Sequence, residues 1–179
     1  MLDMDFLYIR ARAAGFTAAA PLDAGTLSPN VEVRAMCQNN VCGQYGQRWS
    51  CPPGCGTLEE CAARLQTYRG GILVQTIGIL EDEFDGEGMI KTEARHKVQF
   101  QVLWEDLRTD YPQLLALSSG CCTRCKICTY PISPCRTPNA VFSSMEAYGL
   151  LVLDVCRRNH LPYYYGKAQI AYTSCFLLE

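Results

Sequence analysis

Nine of the chain's 12 cysteines fall in two short windows, Cys37–Cys55 and Cys121–Cys135. That crowding constrains the fold more than any other feature, because something must hold so many thiols in so little chain. The first residues, Met1–Arg10, carry Asp3 and Asp5 and show no basic stretch followed by an apolar run. No secretory signal is read there, and a cytoplasmic setting is expected. Thiols stay reduced in that setting, so dense cysteine points to metal binding or redox chemistry rather than to a disulfide framework.

The rest of the composition sets bounds. With 179 residues there is material for one domain with a real core. A formal net charge of -2 gives no general surface for nucleic acid. The longest apolar stretch, Gly70–Leu80, is broken by Gln75 and Thr76 and is too short to span a bilayer, so no membrane association is expected.

Periodicity and turn signals order the elements. Residues 3–14 read as a short helix and Phe16–Ala20 as a strand. Ser28-Pro29 signals a helix start that leads to Cys37. Thr57 and Glu60 form a capping box ahead of Leu58, Cys61, Ala62 and Leu65, the apolar face of a helix. Ile72–Leu80 reads as a buried strand. A long amphipathic helix is expected from Met89 to Leu107, with Ile90, Ala94, Val98, Val102, Leu103 and Leu107 on its apolar face. Leu114–Leu117 is a short strand. Ser143 and Glu146 read as a second capping box, opening a helix to about Asn159. Tyr163–Tyr165 and Gln169–Leu177 complete the pattern as two strands.

Interleaved helices and strands of this kind predict an α+β (or α/β) fold. The whole chain, 1–179, is read as a single domain with cysteine loops at 37–56 and 121–138. Irregular loops that long need something to hold them, and a metal site does so.

The second window carries the more specific chemistry. Cys122, Cys125 and Cys128 form C-x2-C-x2-C, and Cys135 follows seven residues later beside Pro134. Such a run points three thiolates from one curled loop at three irons of a cubane, as in bacterial ferredoxins. The fourth cysteine departs from the ferredoxin spacing, which weakens a ferredoxin domain and leaves the cluster site intact. A four-cysteine zinc site is the rival, although zinc more often takes two separated C-x2-C pairs. Adjacent residues do not easily point at one metal, so Cys121 is expected to be a neighbour of the site or a core residue.

The first window runs Cys37-x4-Cys42-x8-Cys51-x3-Cys55. Four thiols are enough for one site, and the spacing leaves a cluster, zinc, or redox-active or structural thiols open. Cys51-Pro52-Pro53-Gly54-Cys55-Gly56 is similar to the knuckle of rubredoxins and zinc ribbons, lengthened by one residue. Tyr45, Trp49 and Tyr130 are placed to shield a cluster or simply to pack. Arg34, Arg48, Arg124, Lys126 and Arg136 lie in or beside the windows, where they offset thiolate charge, bind an anion or stand in solvent. Cys61, Cys156 and Cys175 fall on apolar faces and read as core. His96 is placed on a polar helix face and His160 at a helix end, neither with ligand-like company.

Taken together, the run Cys37-x4-Cys42-x2-Tyr45-Gly46-x2-Trp49-Ser50-Cys51-Pro52-Pro53 and the run from Cys122 through Cys128-Thr129-Tyr130-Pro131 to Pro134-Cys135-Arg136-x-Pro138 resemble an uncharacterised family of predicted metal-binding proteins. Ser144–Gly149 and Tyr163–Gly166 fit it too. The resemblance covers the chain from about Arg34 onward. It implies metal binding and an anaerobic setting in bacteria and archaea, and no particular reaction.

Three functions follow as expectations. The first is an iron–sulfur protein with one or two [4Fe–4S]-type clusters, serving electron transfer with a redox partner protein. The second is a cluster enzyme with an open iron site. The third is a zinc-stapled interaction module. The sequence names no substrate and no oligomeric state.

Overall fold

The computed structural model describes residues 2–179. Its centre is a four-stranded sheet in the order β1-β2-β4-β3. The strands are β1 (Ala18–Asp23), β2 (Gly70–Ile79), β3 (Leu115–Leu117) and β4 (Gln169–Leu177), and every pairing is antiparallel. The α+β expectation is met.

Both faces of the sheet are covered. Ile72, Val74, Ala116 and Phe176 pack against α1 (Met4–Ala13) and α4 (Gly86–Asp110) through Leu7, Ala11, Phe100, Leu103, Trp104 and Leu107. Leu73, Leu117, Cys175 and Leu177 face the other way, onto Cys61 and Leu65 of α3 (Leu58–Leu65) and Val155 and Cys156 of α5 (Val152–Arg158). Successive strand residues point to opposite faces. A strand covered on both sides therefore needs apolar residues on both faces, as β2 has at Ile72, Leu73 and Val74, or polar ones with partners, as at Gln75 and Thr76. Cys61, Cys156 and Cys175 are buried, as read from the sequence.

Several local expectations hold. The Thr57–Glu60 capping box forms reciprocally. The helix leading to Cys37 is α2 (Val31–Gln38), with Asn30 as its cap in place of Ser28. β1 lies later than expected and contains Pro21, which an edge strand tolerates.

Three expectations fail. The face of α4 is wrong: Ile90, Val98 and Val102 are exposed, and the buried face runs through Thr92, His96, Phe100, Leu103, Trp104 and Leu107. His96, expected on a polar face, is buried because the sheet supplies its partners. Its Nδ1 lies 2.8 Å from Thr76 Oγ1 and its Nε2 2.6 Å from Ser174 Oγ. Burial, with help from Lys97, lowers the His96 pKa to about 3, so the ring is neutral. Second, Ser143–Glu146 opens no long helix. A single 3-10 turn, Glu146–Tyr148, ends at Gly149 with φ +74°, where an added Cβ would meet the Asn30 backbone at 3.0 Å. Asn30 N donates to the Gly149 carbonyl at 2.8 Å, so the start of α2 occupies the path a continuous helix would take. Third, Tyr163–Tyr165 is not a strand. Tyr165 turns its hydroxyl inward, donating to Gln75 Oε1 at 2.7 Å.

Among the described residues no helix is long and apolar enough to cross a membrane.

Candidate metal centre

The first window is a chain of tight turns. Asn40 (φ +51°), Gly43 and Gly46 adopt left-handed conformations that reverse the chain after α2. Gly43 N donates to Asn40 O at 2.9 Å, Gly46 N to Pro52 O at 2.8 Å and Cys55 N to Cys51 O at 3.1 Å. Backbone groups that no helix or strand satisfies are thereby satisfied locally.

The second window has fewer bonds of its own. Ser133 N donates to Thr129 O at 3.0 Å, Thr129 Oγ1 to Pro134 O at 2.9 Å, and Arg136 to Ile127 O at 2.8 Å. Much of its order comes from the first window. Cys122 N donates to Ser50 Oγ at 3.1 Å, and Arg48 Nη1 donates to Cys122 O at 3.0 Å. Trp49 Nε1 donates to Ser133 O at 3.1 Å, and its ring meets Tyr130 edge-on at 4.9 Å. Gly54 sits beneath this contact, where a Cβ would lie 2.9 Å from Tyr130 Cε2. The two windows are one interlocked unit.

The thiols sit in distinct surroundings. Burial raises Cys128, but backbone N–H groups of Tyr130, Trp49 and Thr129 and the charge of Arg48 outweigh it, and the net shift is downward. Thr137 N lies 3.4 Å from Cys135 Sγ. Burial raises Cys37 at the end of α2, opposed by Arg34. Cys61 Sγ donates to Cys55 O at 3.7 Å, and Cys55 Sγ donates to Ala147 O at 3.8 Å. Arg34 holds this corner, reaching Cys61 Sγ at 3.7 Å and bonding the Gly56 and Ala147 carbonyls. Cys121 is half-buried rather than core, and its thiol bonds to that of Cys51. That bond, with burial, raises Cys51; the same bond lowers Cys121 to about 6 against the opposing effect of burial.

Residues 20–178 match the model of a family described as "Predicted metal-binding protein (DUF2284)". The chain belongs to that family. The resemblance read from the two cysteine runs is borne out. No curated protein and no solved structure matches the chain.

For this DUF2284 member, the donors gathered by the windows are thiols, with backbone N–H groups directed at two of them. That donor set suits thiophilic metals, either zinc or iron–sulfur clusters, and hydrogen bonds to sulfur are a common support for such ligands. Among the described residues no three Cys, His, Asp or Glu side chains form a ready-made site for a single ion. Two cavities separate the thiols instead. One, of about 430 Å³, is lined by Cys37, Cys42, Cys51 and Cys121 together with Arg48, Glu93 and Lys97. The other, of about 380 Å³, brings Cys55 and Cys135 together beside Arg64 and Tyr148. The contributions of Cys121 and of α4 were not visible in the sequence, because no spacing rule links residues 70 positions apart.

Proposed function

We propose that this protein holds one or two [4Fe–4S]-type clusters and passes electrons to a partner protein. The interlocking of the two windows carries the reading: Arg48, Trp49 and Ser50 of the first bind the backbone of the second. Cys122, Cys125, Cys128 and Cys135 would hold one group. Cys37, Cys42 and Cys51 with a fourth thiol would hold the other. A cluster there supplies reversible one-electron chemistry. The chain's own part is to fix the thiolates, to limit water through the Trp49 and Tyr130 rings, and to offset negative charge with Arg48. Val41, Ile127 and Ile132 at the loop tips are 95%, 77% and 92% exposed. Arg124, Lys126 and Arg136 flank the latter two, and such a mixed apolar and basic rim supports docking of an acidic redox protein.

Protein purified and reconstituted without oxygen should be brown, contain iron and acid-labile sulfide, and give a paramagnetic signal on reduction. Colourless protein holding only zinc would overturn the proposal.

The cavity between Cys55 and Cys135 favours a second reading. Arg64 Nη1 donates to Tyr148 Oη at 3.0 Å on its wall, a polar pair suited to holding a small anion beside a cluster with an open iron. Small anions that leave the spectrum of the reduced cluster unchanged would exclude it.

A further inference from the structure

We propose that the first metal centre is built from Cys37, Cys42, Cys51 and Cys121, and that Cys55 is not one of its ligands. The assignment rests on the metal-binding reading of the windows, and not on the metal being iron.

Four observations carry it. All four thiols line one cavity of about 430 Å³, and Cys55 lines a different one. Ser50, next to Cys51, accepts from the N–H of Cys122, next to Cys121, at 3.1 Å, which brings Cys51 and Cys121 to the same wall. Cys37 Sγ donates to the Glu146 carbonyl at 4.0 Å, and Glu146 lines the same cavity. Cys55 donates to the Ala147 carbonyl at 3.8 Å and accepts from Cys61 Sγ at its own carbonyl at 3.7 Å, so its thiol is already engaged by the protein.

The backbone explains how a residue of the second window reaches the first. Gly120 turns the chain with φ +72°. Both backbone groups of Cys122 are then pinned, its N–H by Ser50 and its carbonyl by Arg48. Ser50 is the immediate neighbour of Cys51, so pinning Cys122 places Cys121 against Cys51.

The cavity is also suited to a group with several thiolates. Arg48 and Lys97 line it, opposed by Glu93 and Glu146; Lys97 pairs with Glu93 at 2.6 Å. In a cubane each thiolate binds a different iron, so ligands surround a volume rather than meet at a point. A set crossing from residue 51 to residue 121 makes the windows interdependent, because filling the first centre orders the start of the second.

The test uses the full chain, reconstituted anaerobically, and the variants Cys51→Ala, Cys121→Ala and Cys55→Ala. Metal per chain should fall equally in the Cys51 and Cys121 variants, by one centre, and stay at the wild-type value in the Cys55 variant. Loss in the Cys55 variant with retention in the Cys121 variant would overturn the assignment. Thiol alkylation of the wild-type protein, read by mass spectrometry with and without metal, decides any case in which a variant fails to fold. Metal-dependent protection of Cys121 together with Cys37, Cys42 and Cys51, with Cys55 reactivity unchanged, supports the set; protection of Cys55 without Cys121 overturns it. The same pattern with zinc in place of iron would defeat the iron–sulfur reading and leave the ligand set standing.

Discussion

Arg48 donates from Nη1 to the Cys122 carbonyl at 3.0 Å, across 74 residues of sequence. The same carbonyl belongs to the residue whose N–H is held by Ser50. The start of the second cysteine window is therefore fixed by the turn that carries Cys51. A disordered loop must lose conformational entropy when it binds metal, and these bonds remove part of that cost beforehand.

Arg48→Ala should therefore loosen the second window without disturbing the sheet. A hydrogen bond from a charged donor contributes about 1.5–3 kcal/mol, and partial exposure places this one near the lower end. Since about 1.4 kcal/mol is tenfold in an equilibrium constant, metal should be held roughly ten times more weakly. Competition with a chelator measures this directly. Arg48→Lys keeps the charge and loses the fork, and should fall between. Equal retention in wild type and Arg48→Ala would show that the cross-window bond has no part in holding metal.

Gly54→Ala tests the same interface by steric means. The new Cβ would lie 2.6 Å from Arg48 O and 2.9 Å from Tyr130 Cε2. A backbone oxygen yields little, so the windows must separate, and overpacking of this kind costs about 1–3 kcal/mol. Gly46→Ala is the control: it has open space and only a left-handed φ of +65° to strain it. The Gly54 variant should lose the Trp49–Tyr130 signature in near-ultraviolet dichroism, and the Gly46 variant should keep it.

His96 gives a pH dependence that is independent of the cysteines. Its pKa is lowered to about 3 by burial and by Lys97, against about 6.5 in an unfolded chain. Above pH 6.5 the ring is neutral in both states and contributes no slope. Below it the unfolded chain takes up a proton that the folded chain refuses, so stability falls as pH drops from 6.5 towards 3. The slope is at most about 1.4 kcal/mol per pH unit. His96→Gln should be less stable at pH 7 but lack this component. Denaturant unfolding of metal-free wild type and variant from pH 7 to pH 4 compares the two slopes, and equal slopes would show that His96 is not held neutral.

The same residue marks where sequence reading stopped. Periodicity gave a long helix but chose Ile90, Val98 and Val102 as its buried face, because it scores residue type and cannot see a Thr76 or a Ser174 waiting on a sheet. The Thr57–Glu60 capping box was legible because it is complete within four residues. The Ser143–Glu146 pair had the same letters and failed, since Gly149 and the incoming Asn30 end the turn from outside. The cysteine windows were legible as irregular loops, and their spacing carried the resemblance to the family. Which thiols share a cavity was not legible, because Cys51 meets Cys121, and Cys55 meets Cys135, only where the loops pack.

Removal of metal should free the windows and spare the fold. The two apolar clusters on either face of the sheet contain none of Cys37, Cys42, Cys51, Cys55, Cys121, Cys122, Cys125, Cys128 or Cys135. The β2–β4 ladder, from Gly71 opposite Leu177 to Ile79 opposite Gln169, is closed by backbone bonds far from them in the register. Burial on that scale is what stabilises a domain, whereas small zinc modules depend on the metal for folding itself. Chelation should thus strip hydrogen-exchange protection from residues 37–56 and 119–138, while β2, β4 and the Phe100–Leu107 half of α4 stay protected. Far-ultraviolet dichroism should change little. Cooperative loss of protection across the sheet would instead make the metal the staple of the whole domain and would favour the zinc-module function.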